Sequence, residues 1–232
     1  MKDIKLAVFD MAGTTVNEDN VVYKTVRKAL ARAGVEIPLE VVLEHGAGKE
    51  KYQAIKDILD KVATSQELER AAQEIHLDFK GLLKEAYANL EVFPYQGVEE
   101  LFALLRSNNV KVVLNTGYDA KTAQTLIGKL GWKVGKEIDA LITADDVEQG
   151  RPSSEMIDKA MEQFGISDSQ QVLKAGDSII DIEEGKNANC GITVGVLTGA
   201  HTREQLQTVH PTLILDALKD LGEILFPAEN AK

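Results

Sequence analysis

Leu6-Ala7-Val8-Phe9-Asp10-Met11-Ala12-Gly13-Thr14-Thr15 opens on four apolar residues and breaks at an aspartate and then a glycine. A short continuous apolar run that stops at turn-forming residues is the pattern of a buried strand. Three further runs share it: Val110-Lys111-Val112-Val113-Leu114 before Asn115-Thr116-Gly117, Ala140-Leu141-Ile142-Thr143 before Asp145 and Asp146, and Val172-Leu173-Lys174-Ala175 before Gly176-Asp177. Between them, Val98 to Arg106, Ala120 to Leu130 and Ser154 to Phe164 repeat apolar residues at spacings of three and four, the helical period. Strands alternating with helices predict an α/β chain with a doubly wound parallel sheet and crossover helices on both faces. Gly191 to Leu197 adds a strand and Ala217 to Leu225 a closing helix.

Residues of about 22 to 90 interrupt the alternation. Val22 to Ala33, Lys49 to Leu59 and Gln66 to Leu90 read as consecutive helices with no strand between them, an inserted helical unit. The joints are Thr15-Val16-Asn17-Glu18-Asp19-Asn20 and Phe93-Pro94-Tyr95-Gln96-Gly97. The expected organisation is a Rossmann-like core of residues 1–16 and 95–232 and a helical cap domain of residues 17–94.

Lys and Arg number 26 against 37 Asp and Glu, a formal charge of −11. That balance repels a polyphosphate backbone and argues against nucleic acid as a partner. The one cysteine, Cys190, cannot form an intrachain disulfide, and no apolar run approaches the roughly 20 residues that span a bilayer. The expectation is a cytoplasmic protein with no membrane partner; the Met- and Leu-bearing cap helices could support a homodimer.

In a doubly wound sheet ligands bind beyond the carboxyl ends of the strands, so residues that follow different strands converge. Here these are Asp10, Thr116, Asp145, Asp146 and Asp177. Any one of the aspartates alone reads as a turn or cap residue. Several together, with a hydroxyl beside them, suggest a hard divalent cation such as Mg²⁺ holding a phosphoryl group.

Phe9-Asp10-Met11-Ala12-Gly13-Thr14-Thr15, Asn115-Thr116-Gly117, Gly150-Arg151-Pro152 and Gly176-Asp177-Ser178-Ile179-Ile180-Asp181 resemble, in order and spacing, the four motifs of the haloacid dehalogenase superfamily. The inserted helices resemble that superfamily's cap. The resemblance implies that Asp10 is a nucleophile forming an aspartyl-phosphate, splitting one displacement into two. It implies that Thr116 and the backbone at Gly117 bind the phosphoryl oxygens, and that Arg151 holds the phosphoryl group and offsets the surrounding acids. Asp10, Asp177 and the carbonyl of Ala12 would bind Mg²⁺, with Asp181 ligating through water or orienting the other ligands.

Phosphatases of this superfamily carry an acidic general acid/base where this chain has Ala12, and a methyl group cannot transfer a proton. Ala12 and Arg151 together resemble the phosphonoacetaldehyde hydrolase, or phosphonatase-like, branch. That branch uses a cap lysine as a Schiff base, whose iminium accepts the electrons of the broken carbon–phosphorus bond. Its lysine follows a glycine by three residues, which points to Gly46 and Lys49, with His45 beside them for substrate contact or proton transfer. The competing readings of Lys49 are an ordinary solvated residue and a phosphate-orienting cation. Lys51 is nearby but out of register with that motif. His201 and Arg203, beyond the four motifs, read as loop residues. The expected function is Mg²⁺-dependent cleavage of a small phosphonate; the alternatives are a small phosphomonoester phosphatase and a catalytically weak phosphate-ligand binding protein.

Overall fold

The computed structural model describes residues 3–62 and 68–227. In chain order its elements are β1 (Leu6–Asp10), β2 (Val16–Asn17), α1 (Val21–Arg32), α2 (Leu39–Gly46), α3 (Lys51–Val62), α4 (Leu68–Asn89), β3 (Phe93–Pro94), α5 (Val98–Ser107), β4 (Lys111–Asn115), α6 (Ala120–Lys129), β5 (Ala140–Ile142), α7 (Glu155–Phe164), β6 (Val172–Gly176), α8 (Ile179–Asn187), β7 (Ile192–Val196), α9 (Arg203–Gln207), β8 (Leu213–Leu215) and α10 (Leu221–Leu225). Six strands form one parallel sheet in the order β5-β4-β1-β6-β7-β8. This is the doubly wound α/β architecture that the alternating runs predict.

The apolar run of β1 lies at the centre of the sheet, and every residue of it is buried. Its side chains alternate between two cores. Ala7 and Phe9 face the larger one, where Phe9 packs 5.7 Å from Phe102 of α5 and Phe102 in turn 5.3 Å from Trp132; Leu6 and Val8 face the other, against Met156, Ile157 and Ala160 of α7.

Helices α1 to α4 contribute no strand to the sheet and pack on one another, with Val26, Leu30, Ile55, Ile58, Ile75 and Phe79 among their buried residues. The two chain crossings beside this helical unit pair as a short antiparallel ribbon, with Val16 opposite Pro94 and Asn17 opposite Phe93. Strand β8 is additional to the strands expected from the sequence, because Leu213-Ile214-Leu215 is only three residues long and half-buried. The helix expected from Lys49 begins instead at Lys51, and residues 66 and 67 of the Gln66–Leu90 expectation lie outside the described residues. None of the described helices is long and apolar enough to cross a membrane.

Candidate active site

The carboxyl ends of β1, β4 and β6 deliver Asp10, Asn115-Thr116-Gly117 and Gly176-Asp177 to one place, because parallel neighbours in register end at one level. Carboxylate oxygens of Asp10, Asp177 and Asp181 lie within 4.8 Å of one another, all on buried residues. Glycine shapes this cluster. A Cβ on Gly13 or Gly199 would overlap the Asp177 carboxylate, and one on Gly176 would overlap that of Asp181. Asp177 is held further by the amide of Ala200, which donates to Oδ2 at 2.6 Å.

Two arginine nitrogens reach across the cluster. Arg151 Nη2 is 2.8 Å from Asp10 Oδ1, and Nη1 donates to Asp181 Oδ1. Burial and then the Asp181 charge raise the Asp10 pKa against the pull of Arg151. Asp177, buried and facing both other aspartates, is raised well above the usual carboxylate range. Burial also opposes ionisation of Asp181, but Lys174 and Arg151 outweigh it and hold its pKa low. Around the strand ends, the buried carboxylates of Asp10, Asp177, Asp181 and Glu184 meet the buried cations of Arg151 and Lys174, leaving among these described residues a formal excess of two negative charges. One divalent cation cancels that excess, and carboxylate and carbonyl oxygens are the donors Mg²⁺ prefers. The donor set therefore fits such an ion, and Asp10 and Asp177 are carboxylates that could hold it.

Asp181, expected to ligate through water or to orient the other ligands, is engaged by its own helix terminus. It forms a reciprocal capping box at the start of α8: Oδ2 accepts from the Ser178 amide at 3.2 Å and hydroxyl at 2.5 Å, and the Asp181 amide donates to Ser178 Oγ at 3.3 Å. With Oδ1 taken by Arg151 and Lys174, both of its oxygens already have partners.

Asp145 and Asp146 do not join the cluster. Asp145 accepts from the Ala120 amide at 2.9 Å, and Asp146 forms a capping box with Thr143. Both are turn residues, the ordinary reading of a single aspartate after a strand.

A pocket with about 190 Å³ of space free of protein atoms adjoins the cluster. It is lined by Asp10, Ala12, Thr116, Gly117 and Arg151 from the core side, with Tyr23, Gly48, Lys51 and Tyr118 completing it. Its lysine is Lys51; Lys49, the residue expected there, does not line it. The Glu50 carboxylate accepts from the amides of Tyr52 and Gln53, each at 2.9 Å, and so sets the first turn of α3 with Lys51 at its head. Lys51 turns inward: Nζ lies 2.5 Å from the Lys49 carbonyl and 5.0 and 5.3 Å from the ring centres of Tyr23 and Tyr118. The Lys49 amine instead pairs with Asp57 of α3, both side chains being partly buried. His45, in the last turn of α2, does not line the pocket.

The inserted helices reach the core through backbone contact. The Gly117 Cα faces the Lys49 and Gly48 carbonyls so closely that a Cβ would stand 2.9 and 3.1 Å from them. Gly48, at φ +76°, lies against Ser178 and Ile180, and its amide donates to the Tyr23 hydroxyl at 3.2 Å.

Burial lowers the Lys51 amine to a pKa of about 8, with the Arg151 charge adding to the effect. Glu18, in the first joint, is buried nearby; Tyr87 donates to its Oε2 at 3.0 Å, Oε1 has no hydrogen-bond partner among the described residues, and burial raises its pKa to about 8. His201 is buried and accepts from the Ile179 amide at the start of α8 through Nδ1 at 2.9 Å, while Arg203, at the start of α9, forms an exposed ion pair with Asp216.

Sequence reasoning set Lys51 aside as out of register and missed Tyr23, Tyr118 and Glu18 as neighbours of the site. Lys51 had a usable signal, since it follows Gly48 by the same three residues that separate Gly46 from Lys49. Tyr118 directly follows the Thr116-Gly117 pair, whereas nothing local distinguishes Glu18 from the other polar residues of its joint.

A family model for haloacid dehalogenase-like hydrolases matches residues 4–189. The chain belongs to that family. It is similar to a phosphonoacetaldehyde hydrolase of Parabacteroides distasonis, with 32% identity over 217 residues covering 87% of this chain and 79% of the relative. Among solved structures it resembles a phosphonoacetaldehyde hydrolase-like protein from Oleispira antarctica, with TM-score 0.82, 21% identity and 96% and 91% of the two chains covered. It also resembles a predicted phosphoglycolate phosphatase from Haemophilus somnus 129PT, with TM-score 0.79, 20% identity and 97% and 99% covered. As a haloacid dehalogenase-like hydrolase, the chain combines the family's strand-end aspartate with Ala12 two residues on.

Proposed function

We propose that this hydrolase cleaves the carbon–phosphorus bond of a small phosphonate carrying an aldehyde or ketone, such as phosphonoacetaldehyde, with Lys51 as the amine that activates the carbonyl. The observation that carries this reading is Lys51, a buried amine in the same small pocket as Asp10, Thr116 and Arg151, where Ala12 leaves no acid to protonate a leaving oxygen. The similarity to phosphonoacetaldehyde hydrolases supports it.

An amine pKa of about 8 leaves a usable neutral fraction near neutral pH, which nucleophilic attack on a carbonyl requires. The Lys51 nitrogen adds to the carbonyl carbon, a proton passes from nitrogen to oxygen, and protonation of the resulting hydroxyl releases water and leaves an iminium. Asp10 then attacks phosphorus. The carbon–phosphorus electron pair moves into the iminium, so an enamine and an aspartyl-phosphate form without a protonated leaving group. Water hydrolyses the aspartyl-phosphate, and protonation and hydrolysis of the enamine free the lysine. Bound Mg²⁺ would supply charge neutralisation beside the phosphoryl oxygens. Thr116 and the backbone around Gly117 would orient those oxygens, and Arg151 would face them from the Asp10 side.

The test is borohydride trapping with phosphonoacetaldehyde, mapped by mass spectrometry. The expected adduct sits on Lys51, survives Lys49→Arg and disappears in Lys51→Arg together with phosphate release. Phosphate release that persists in Lys51→Arg without any trapped adduct would overturn the Schiff-base reading. Mg²⁺-dependent turnover of phosphomonoesters alone would favour the phosphatase alternative, and no phosphate release from either class would favour the binding protein.

A further inference from the structure

Lys174, on β6, is fully buried and meets the acid cluster from beneath. Its Nζ lies 2.6 Å from Asn115 Oδ1, 3.0 Å from Asp181 Oδ1 and 3.0 Å from Glu184 Oε2. Glu184, on α8 and also fully buried, accepts from Asn115 Nδ2 at 2.7 Å. Asn115 is the last residue of β4 and immediately precedes Thr116. One buried network thus joins β4, β6 and α8 below the phosphoryl-binding residues. A buried ion pair is a poor source of net stability, because desolvation offsets its attraction. Its geometric effect is specific. Asp181 Oδ1 is shared between Lys174 and Arg151, while the second terminal nitrogen of Arg151 remains 2.8 Å from Asp10.

We propose that Lys174, paired with Glu184, is a positioning residue of the phosphoryl site: it shares Asp181 so that Arg151 stays on Asp10, and through Asn115 it fixes the strand end that presents Thr116. The inference rests on the phosphoryl-transfer reading above. Without Lys174, Arg151 is left to answer the Asp181 charge and is drawn away from Asp10. Glu184 is then the counter-charge that makes Lys174 tolerable in the interior, and its Oε2, 4.0 Å from Arg151 Nε, adds a weaker pull on the guanidinium.

Lys174→Met alone strands Glu184 without its cation and is expected to impair folding, so the informative protein is Lys174→Met/Glu184→Gln, neutral and close to isosteric. Three quantities are measured: orthovanadate affinity with Mg²⁺ by calorimetry, Mn²⁺ affinity by electron paramagnetic resonance, and the thermal midpoint. Loss of one charge-assisted contact predicts orthovanadate binding weakened about tenfold or more, with Mn²⁺ affinity held within about threefold. Unchanged orthovanadate affinity in the folded double variant overturns the inference. So does a parallel fall of both affinities and the midpoint, which marks a purely structural pair. A wild-type protein that binds neither orthovanadate nor inorganic phosphate overturns the phosphoryl reading itself, and the inference with it.

Discussion

Thr116 and Glu18 show how much a single buried polar group can set. Thr116 is 2% exposed and its hydroxyl already accepts from the Tyr118 amide, so its proton is free to point into the pocket. Thr116→Ala should lower kcat by about 10²- to 10³-fold, the usual cost of losing one preorganised donor to a developing oxyanion, with Mg²⁺ affinity unchanged. Glu18 tests the opposite, a group whose burial works against its charge. Its folded pKa of about 8 lies above the unfolded value of 4.5, so the folded state keeps a proton that the unfolded chain releases. Stability from this group is therefore present below pH 4.5 and is lost as pH rises toward 8. Urea unfolding between about pH 5 and pH 8 should show Glu18→Gln gaining steadily on the wild type, and a constant difference would contradict the burial argument.

Among the elements, the end of β6 and the turns that follow β1 and β7 shape the acid cluster through glycine. Gly199→Ala would drive a methyl group into the Asp177 carboxylate, and if Asp177 holds the divalent ion as proposed, Mn²⁺ affinity should fall at least about tenfold. Gly128 offers the control. It lies within α6 with open space around its would-be Cβ and no positive φ, so Gly128→Ala should raise stability by about 0.5–1 kcal/mol in urea unfolding. The first turn of α3 is the other decisive element. Capping by Glu50 starts the helix two residues later than the apolar periodicity indicates, and that shift exchanges Lys49 for Lys51 in the pocket.

Across the whole molecule, the pocket exists because the helical insertion rests on the core, backbone against backbone at Gly48 and Gly117. Gly117→Ala would push on the Lys49 and Gly48 carbonyls and part the two surfaces. Water would then reach Lys51, and its pKa should move from about 8 back toward the ordinary lysine value. The pH profile of borohydride trapping should shift to alkaline pH and KM should rise, whereas a profile unchanged from wild type would mean that closure does not set the amine's state.

The sequence by itself determined the α/β alternation, the buried first strand and the meeting of Asp10, Thr116 and Asp177, because strand-end residues of a parallel sheet converge whatever their separation in the chain, whereas Arg151 was picked out by the resemblance of its motif. The short half-buried β8 escaped it for want of a periodic signal. Only the tertiary structure decided which lysine enters the pocket, that Asp145 and Asp146 cap turns, that Asp181 is already claimed by Ser178, Arg151 and Lys174, and that Glu18 is buried. The physical reason is common to these four. Each depends on the direction of one side chain and on the company it meets across distant segments, and a linear pattern of residue types records neither.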